Sequence, residues 1–395
     1  MINSAWMLAP LMVLASNSMA MTSYNLISLG TMGGFSSYAM GINDSGQVVG
    51  YSYLDEHGNQ IRGFISNPGG GQLNDIGSLG GTTTLATDIN NLGQITGLSY
   101  GQTGPYHSFI SDPNGGSLHD MGTLSSSPND YSWGSAINDL GQVVGLSDLN
   151  SSGGYAFISE PNGGSLSNLG SLENYNAGFQ LTQATDINNL GQVVGLATTY
   201  TGGDFYPFPL HAFISGPNGV VLHDLGTLGG RDSYATGIND SGQVVGYSST
   251  VNNTSHAFIS DPNGGALHDL GTLGGESSNA TAINNLGQVI GSYNLGPSVS
   301  AIRNGVTYDL NQRFFVTQED VMLDLNTLVA AVNLGWTFLG LSDINNKGQI
   351  SGWGINPLGT VEAFMLNPEV SSVPEPETIL LVGLMVPSLV RMRKR

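Results

Sequence analysis

The chain has 395 residues, no cysteine and a formal net charge of −20 at pH 7, although only 10% of its residues are charged. Without cysteine there is no disulfide framework and no thiolate metal site. Its acidity excludes nucleic acid and anionic membrane as partners of the body, since both demand clustered cations. Four of the nine basic residues (Arg391, Arg393, Lys394 and Arg395) lie in the last five positions, which leaves Arg62, Arg231, Arg303, Arg313 and Lys347 for the rest. Glycine, at 58 residues, falls at turn spacing between short apolar runs, the pattern of many short hairpins.

The chain opens on an apolar run from Met7 to Ala15, followed by Ser18-Met19-Ala20, a small-x-small cleavage site. This predicts a signal peptide over 1–20 and an exported protein, although the usual positive start is missing.

A motif then recurs seven times. Its isoleucines are Ile42, Ile89, Ile137, Ile187, Ile238, Ile283 and Ile344; Asn follows each, then Asp or Asn, a free position, Gly and Gln. A second glycine closes each copy: Gly50, Gly97, Gly145, Gly195, Gly246, Gly291 and Gly352. Copies lie 45 to 61 residues apart, a period that means a solenoid, an array or a propeller. The motif reads as a hairpin, with the first Gly left-handed in the turn and the second allowing close backbone approach. Downstream comes an Ala-Phe-Ile marker: 63–65, 108–110, 156–158, 212–214, 257–259, 301–302 and 363–365. A Pro-Asn-Gly-Gly type of turn and an Asp-Leu-Gly type of strand follow.

Seven such units predict an all-β fold, a seven-bladed β-propeller of four-stranded blades over 24–367. The lone strand 26–32 lacks a unit of its own, and the last unit lacks an outer strand, so the N-terminal strand is expected to close the ring. An insertion over 311–343 breaks the pattern. Either 306–311 or 323–328 is its unit's outer strand, and the rest is expected to be a short helix around 328–332 or a blade extension. The markers His-Ala-Phe at 211–213 and 256–258, Asp-Leu-Gly-Thr-Leu-Gly-Gly at 224–230 and 269–275, and the seven Ile-Asn copies resemble the HAF repeats of extracellular repeat proteins. That resemblance implies no particular activity.

The C-terminal end reads Pro374-Glu375-Pro376, an uncharged apolar stretch from Thr378, then the basic cluster Arg391 to Arg395. A linker over 368–377 thus leads to a membrane or sorting segment over 378–395, short for a span and interrupted by Pro387. It resembles the PEP-CTERM sorting signal of Gram-negative bacteria. Pro374, Glu375 and Pro376 match the motif, and Arg391, Arg393, Lys394 and Arg395 match its basic end. The resemblance implies transient membrane anchoring, an exosortase-type processing partner, and a cell-surface or extracellular destination.

Loop bookkeeping places the motif turns on one face and the variable loops on the other. This makes the motif the part least expected to meet a ligand. The longest variable loop offers Tyr200, Asp204, Phe205, Tyr206 and Phe208, aromatics suited to stacking on carbohydrate. Two repeat positions carry histidine (His107, His211, His256 and His119, His223, His268), which repetition alone explains. The Asn-Asp turns suggest calcium but lack the dense alternating Asp of a calcium loop, so no cofactor or metal is assigned. With no nucleophile elbow, metalloprotease helix or phosphate loop, no catalytic residue is assigned either. The expectation is a non-catalytic binding or matrix component among extracellular polysaccharide. The alternative is a secreted propeller hydrolase or lyase acting on it.

Overall fold

The computed structural model describes residues 23–369 except 126, 150–153, 173–180, 200–207, 304–305, 319–320 and 331–334. Each repeat unit folds as an antiparallel meander. In the first, Ser37–Ile42 is innermost, followed by Val48–Tyr53, Ile61–Ser66 and the short outer strand Leu73–Asp75. The hairpin between the two inner strands is the motif. Asn43 N–H donates to Gln47 O at 3.1 Å, and Gly46 sits at φ +73°, a conformation any side chain would strain.

The closing glycine of the motif has a different cause. Across the sheet, Gly50 faces Phe64, and the same pairing recurs in the other units, as Gly246 with Phe258 and Gly352 with Phe364. The phenylalanines Phe64, Phe109, Phe157, Phe213, Phe258, Phe315 and Phe364 are all fully buried. A Cβ on Gly246 would come within 1.9 Å of Tyr234 O. Only glycine lets the inner pair of strands approach while the ring fills the space beside them.

The apolar core is shared between neighbouring units. Val49 and Ile65 of the first pack with Ile89, Ile95 and Phe109 of the second; Ala363 and Met365 of the last pack with Ile42, Val48 and Phe64 of the first. The core therefore closes on itself. Strand Ser23–Gly30 pairs antiparallel with Val361–Glu369 and completes the last sheet, so strands from the two ends of the repeat region are joined in one blade.

The expectation of seven separate four-stranded blades is corrected. Among the described residues five sheets are four-stranded blades, whereas the first two units run on as one eight-stranded sheet. The bridge between them is a parallel pairing of Ile61 with Thr83. There the Arg62 guanidinium holds the Gly81 carbonyl at 3.2 Å, at the start of the long inner strand Gly80–Ile89.

The insertion also folds differently from expectation. Ala301-Ile302 is not the Ala-Phe-Ile marker of its unit. Phe315, within Gln312–Gln318, takes that place opposite Gly291, and Val321–Asp324 is the outer strand. Strands Ser300–Arg303 and Val306–Asp309 form a separate two-stranded hairpin on which Ile302 is exposed. The short helix is Leu325–Leu328, earlier than expected, and Asp324 caps it by accepting from Asn326 N–H.

Candidate functional site

The Ile-Asn motifs meet around the axis of the ring. Each motif asparagine donates from Nδ2 to the backbone carbonyl of the next one. Asn43 reaches Asn90 O at 3.2 Å, and the series continues through Asn138, Asn188, Asn239, Asn284 and Asn345, which returns to Asn43 O at 2.8 Å. A second closed ring lies beside it. The backbone N–H of each following residue donates to the side chain of its counterpart in the next unit, from Asp44 to Asn91 at 2.9 Å and round to Asn346 and Asp44 at 2.8 Å. The alternation of Asp and Asn there has a reason: amide groups of Asn189 and Asn285 both donate to Asp240 Oδ2, and Asn346 donates to Asp44. The side chains that suggested calcium are thus engaged with one another.

These turns surround a cavity of about 240 Å³ lined by residues from all seven units. Six carboxylates line it: Asp44, Asp139 and Asp240 in the motif turns, and Asp88, Asp186 and Asp343, each directly before a motif isoleucine. Each of the latter three bridges two units. Asp88 accepts from Ile89 N–H at 2.7 Å and from Ile137 N–H at 2.8 Å; Asp186 does the same for Ile187 and Ile238, and Asp343 for Ile344 and Ile42. Units that follow a bridging Asp carry a small residue there: Gly41, Ala136 or Gly237. A Cβ on Gly41 would sit 3.0 Å from Asp88 Oδ1.

The electrostatics are one-sided, since no cationic side chain lines the cavity. Enclosure by protein pushes Asp88 well above the usual carboxylate range, and the charges of Asp343 and Asp186 add to this. Enclosure raises Asp186 to about 7, against the opposing effect of its two N–H donors, and it raises Asp343 as well. Among the described residues, no group of three or more His, Cys, Asp or Glu side chains is arranged to hold a metal ion.

The motif, the part of the sequence least expected to meet a ligand, lines this cavity. Sequence reasoning missed Asp88, Asp186 and Asp343 because they occupy a position held by Gly or Ala in the other four units. The signal was present as one side of an alternation around the ring.

The opposite ends of the same strands carry aromatic clusters. Tyr38 stacks on Tyr51 with centroids 4.9 Å apart and meets Trp353 of the last unit edge-on at 6.1 Å. Phe35 stacks on Tyr53 at 4.3 Å, Tyr234 on Tyr247 at 4.8 Å, and Tyr106 contacts both Tyr100 and Tyr131 at 5.4 and 5.2 Å. Phe35, Tyr100 and Trp133 are exposed. Of the predicted binding loop, Tyr200, Asp204, Phe205 and Tyr206 lie outside the described residues, and Phe208 is half-buried just ahead of strand Leu210–Ser215. The sorting residues Pro374, Glu375, Pro376, Arg391, Arg393, Lys394 and Arg395 and the segment 1–20 lie outside them too.

The histidines pair with carboxylates of their own sheets. His107 lies 3.0 Å from Asp120, His211 2.8 Å from Asp224 and His256 2.8 Å from Asp269. His119 and His268 contact the turn residues Asp112 and Asp261. Among the described residues no helix is long and apolar enough to cross a membrane.

No family model matches the chain, and no curated protein matches it. Solved structures do. The β-propeller domain of the trilobed protease from Pyrococcus furiosus, described as having an open velcro topology, aligns with a TM-score of 0.53 at 10% identity, over 87% of this chain and 98% of its own. Oligogalacturonate lyase from Vibrio parahaemolyticus aligns with a TM-score of 0.51 at 9% identity, over 89% and 94%. At such identities the likeness shows the fold alone. The chain is an all-β β-propeller, and its N-terminal strand closes the last sheet.

Proposed function

We propose that this protein is an exported, surface-sorted propeller that binds extracellular polysaccharide through the face opposite the asparagine rings. The observation that carries the reading is the set of stacked tyrosine clusters at those strand ends. Flat rings with polar tips suit the apolar faces of sugar rings. The motif face supports the reading from the other side, because its side-chain hydrogen bonds are spent in joining units. Export and sorting rest on the apolar and small-residue signal of 7–20, on Pro374-Glu375-Pro376 and on the basic end, with an exosortase-type enzyme as the processing partner and the membrane as a transient anchor. Polysaccharide pull-down tests the binding. Retention is expected to fall about tenfold in a Tyr38→Ala, Tyr234→Ala double variant and to survive deletion of 200–209; unchanged retention in the double variant would refute this face. Cell fractionation tests the address, with a form lacking 378–395 expected outside the inner membrane.

A second reading, a hydrolase or lyase acting on polysaccharide, is favoured by one observation. Asp88, Asp186 and Asp343 open onto one cavity and hold protons more tightly than ordinary carboxylates. A carboxyl poised near neutrality can serve as a general acid. The reading predicts release of reducing ends or unsaturated sugar products from a polysaccharide, abolished by Asp186→Asn.

A further inference from the structure

The cluster between the second and third units differs from the other tyrosine clusters in what surrounds it. Tyr100 and Tyr106 come from the second and third strands of the second unit, and Tyr131 precedes the inner strand of the third. Asp148, at the end of strand Val143–Asp148, is hydrogen-bonded to the Tyr131 side chain, and its own N–H donates to Tyr131 O at 2.9 Å. Asp130 is buried beside it and accepts from the Ser125 hydroxyl. Two enclosed carboxylates thus stand behind a partly exposed aromatic surface.

The basic residues of the body lie elsewhere. Arg62 holds Gly81 O and Asp75, Arg231 is beside Asp232, and Arg303 and Arg313 donate to backbone carbonyls around the insertion. Lys347 sits in a motif turn on the other face. A carboxylate-bearing sugar would meet negative potential at this cluster with no cation to receive it. An ammonium group would be drawn by the potential of the two enclosed carboxylates and by the negative faces of the rings. Centroid separations of 5.2 and 5.4 Å leave no gap between rings for a caged cation, so the rings act as a platform for an extended ligand.

We propose that the polysaccharide recognised at this cluster is a cationic amino-sugar polymer with free amines, its sugar rings lying on Tyr100 and Tyr106 and its ammonium groups drawn by the negative potential of the enclosed Asp148, with Asp130 buried behind it. The inference rests on the glycan-binding reading above and gives it a substrate class. The test is retention of the full chain on four insoluble or gelled polymers at low salt: chitosan, chitin, cellulose and polygalacturonate. Chitosan is expected to retain the protein about tenfold better than chitin or cellulose, and polygalacturonate not at all. Raising ionic strength to about 1 M, where the Debye length falls to about 3 Å, should remove that preference.

Two variants localise the effect. Tyr100→Ala, at an exposed ring, should weaken retention on chitosan several-fold. Asp148→Asn keeps a hydrogen-bonding partner for Tyr131 and should remove the preference for chitosan over chitin. Equal retention on chitosan and chitin, or a chitosan preference unchanged in both variants, overturns the cationic assignment while leaving glycan binding standing. Retention on none of the four overturns both. Should one of the two variants lose its native melting transition, the other carries the test.

Discussion

Single residues decide whether the units can pack at all. A methyl group at Gly246 would occupy the space of Tyr234 O. Gly246→Ala is therefore expected to cost 3 kcal/mol or more, roughly the upper end for overpacked sites, measurable by denaturant titration. Ser351 presents the opposite case. Its buried hydroxyl has no hydrogen-bond partner, and five other units place Val49, Val144, Val194, Val245 or Ile290 at the same register position. Ser351→Val should stabilise the protein by about 1 kcal/mol, because it removes a desolvated polar atom; a lower melting temperature would count against that. Asp186 makes stability depend on pH. Its folded pKa, about 7, is raised above the ordinary value of 3.8. The native state then binds the proton more tightly than the unfolded chain. Its contribution is fully present below the unfolded pKa and is lost as pH rises through about 7. Melting temperature is expected to fall between pH 5 and pH 8, and Asp186→Asn should flatten that slope.

At the scale of the element, the motif hairpin does two jobs. Within its unit, Asn239 Oδ1 accepts from Ser241 N–H and Gln243 N–H, which shapes the turn. Between units, its Nδ2 donates to Asn284 O. Asn239→Ala removes both and leaves enclosed backbone groups without partners. A loss of about 2–4 kcal/mol is expected, against under 1 kcal/mol for Ser241→Ala at the free position of the same turn. The hairpin was legible in the sequence because Asn, Gly and Gln recur at fixed spacing. The cross-unit bonds were not, because they link residues 45 to 61 positions apart, and 302 for the bond that closes the ring, and a repeat pattern does not say which neighbour a side chain faces. The insertion shows the limit of marker matching. Ala301-Ile302 resembled the apolar marker, yet Phe315 takes the buried place, since only an aromatic ring fills the space over Gly291.

For the whole molecule, closure is the governing event. The last sheet takes its outer strand from Ser23–Gly30, and the apolar core runs across the join between last and first units. Deleting 23–30 should expose Leu366 and Met365 and lower the melting temperature more than removal of a surface loop of similar length. If the two deletions lowered it equally, the strand would not be what holds the ring. A closed ring also explains how a chain with so few ion pairs can stand as one body: every unit has a neighbour on both sides to cover its apolar faces. The aromatic clusters and the cavity sit at opposite ends of the same strands.

The sequence by itself determined the repeat, its hairpins, the all-β class and the pairing of the N-terminal strand with the last unit, because these follow from local turn chemistry and from the phase of the markers. Tertiary structure decided the rest. The first two units run on as one sheet through the pairing of Ile61 with Thr83, where Arg62 reaches across to Gly81 O. Three aspartates scattered over 256 positions came to face one cavity because the ring brings equivalent positions to its axis. The tyrosines became surfaces only when cross-strand register placed them side by side.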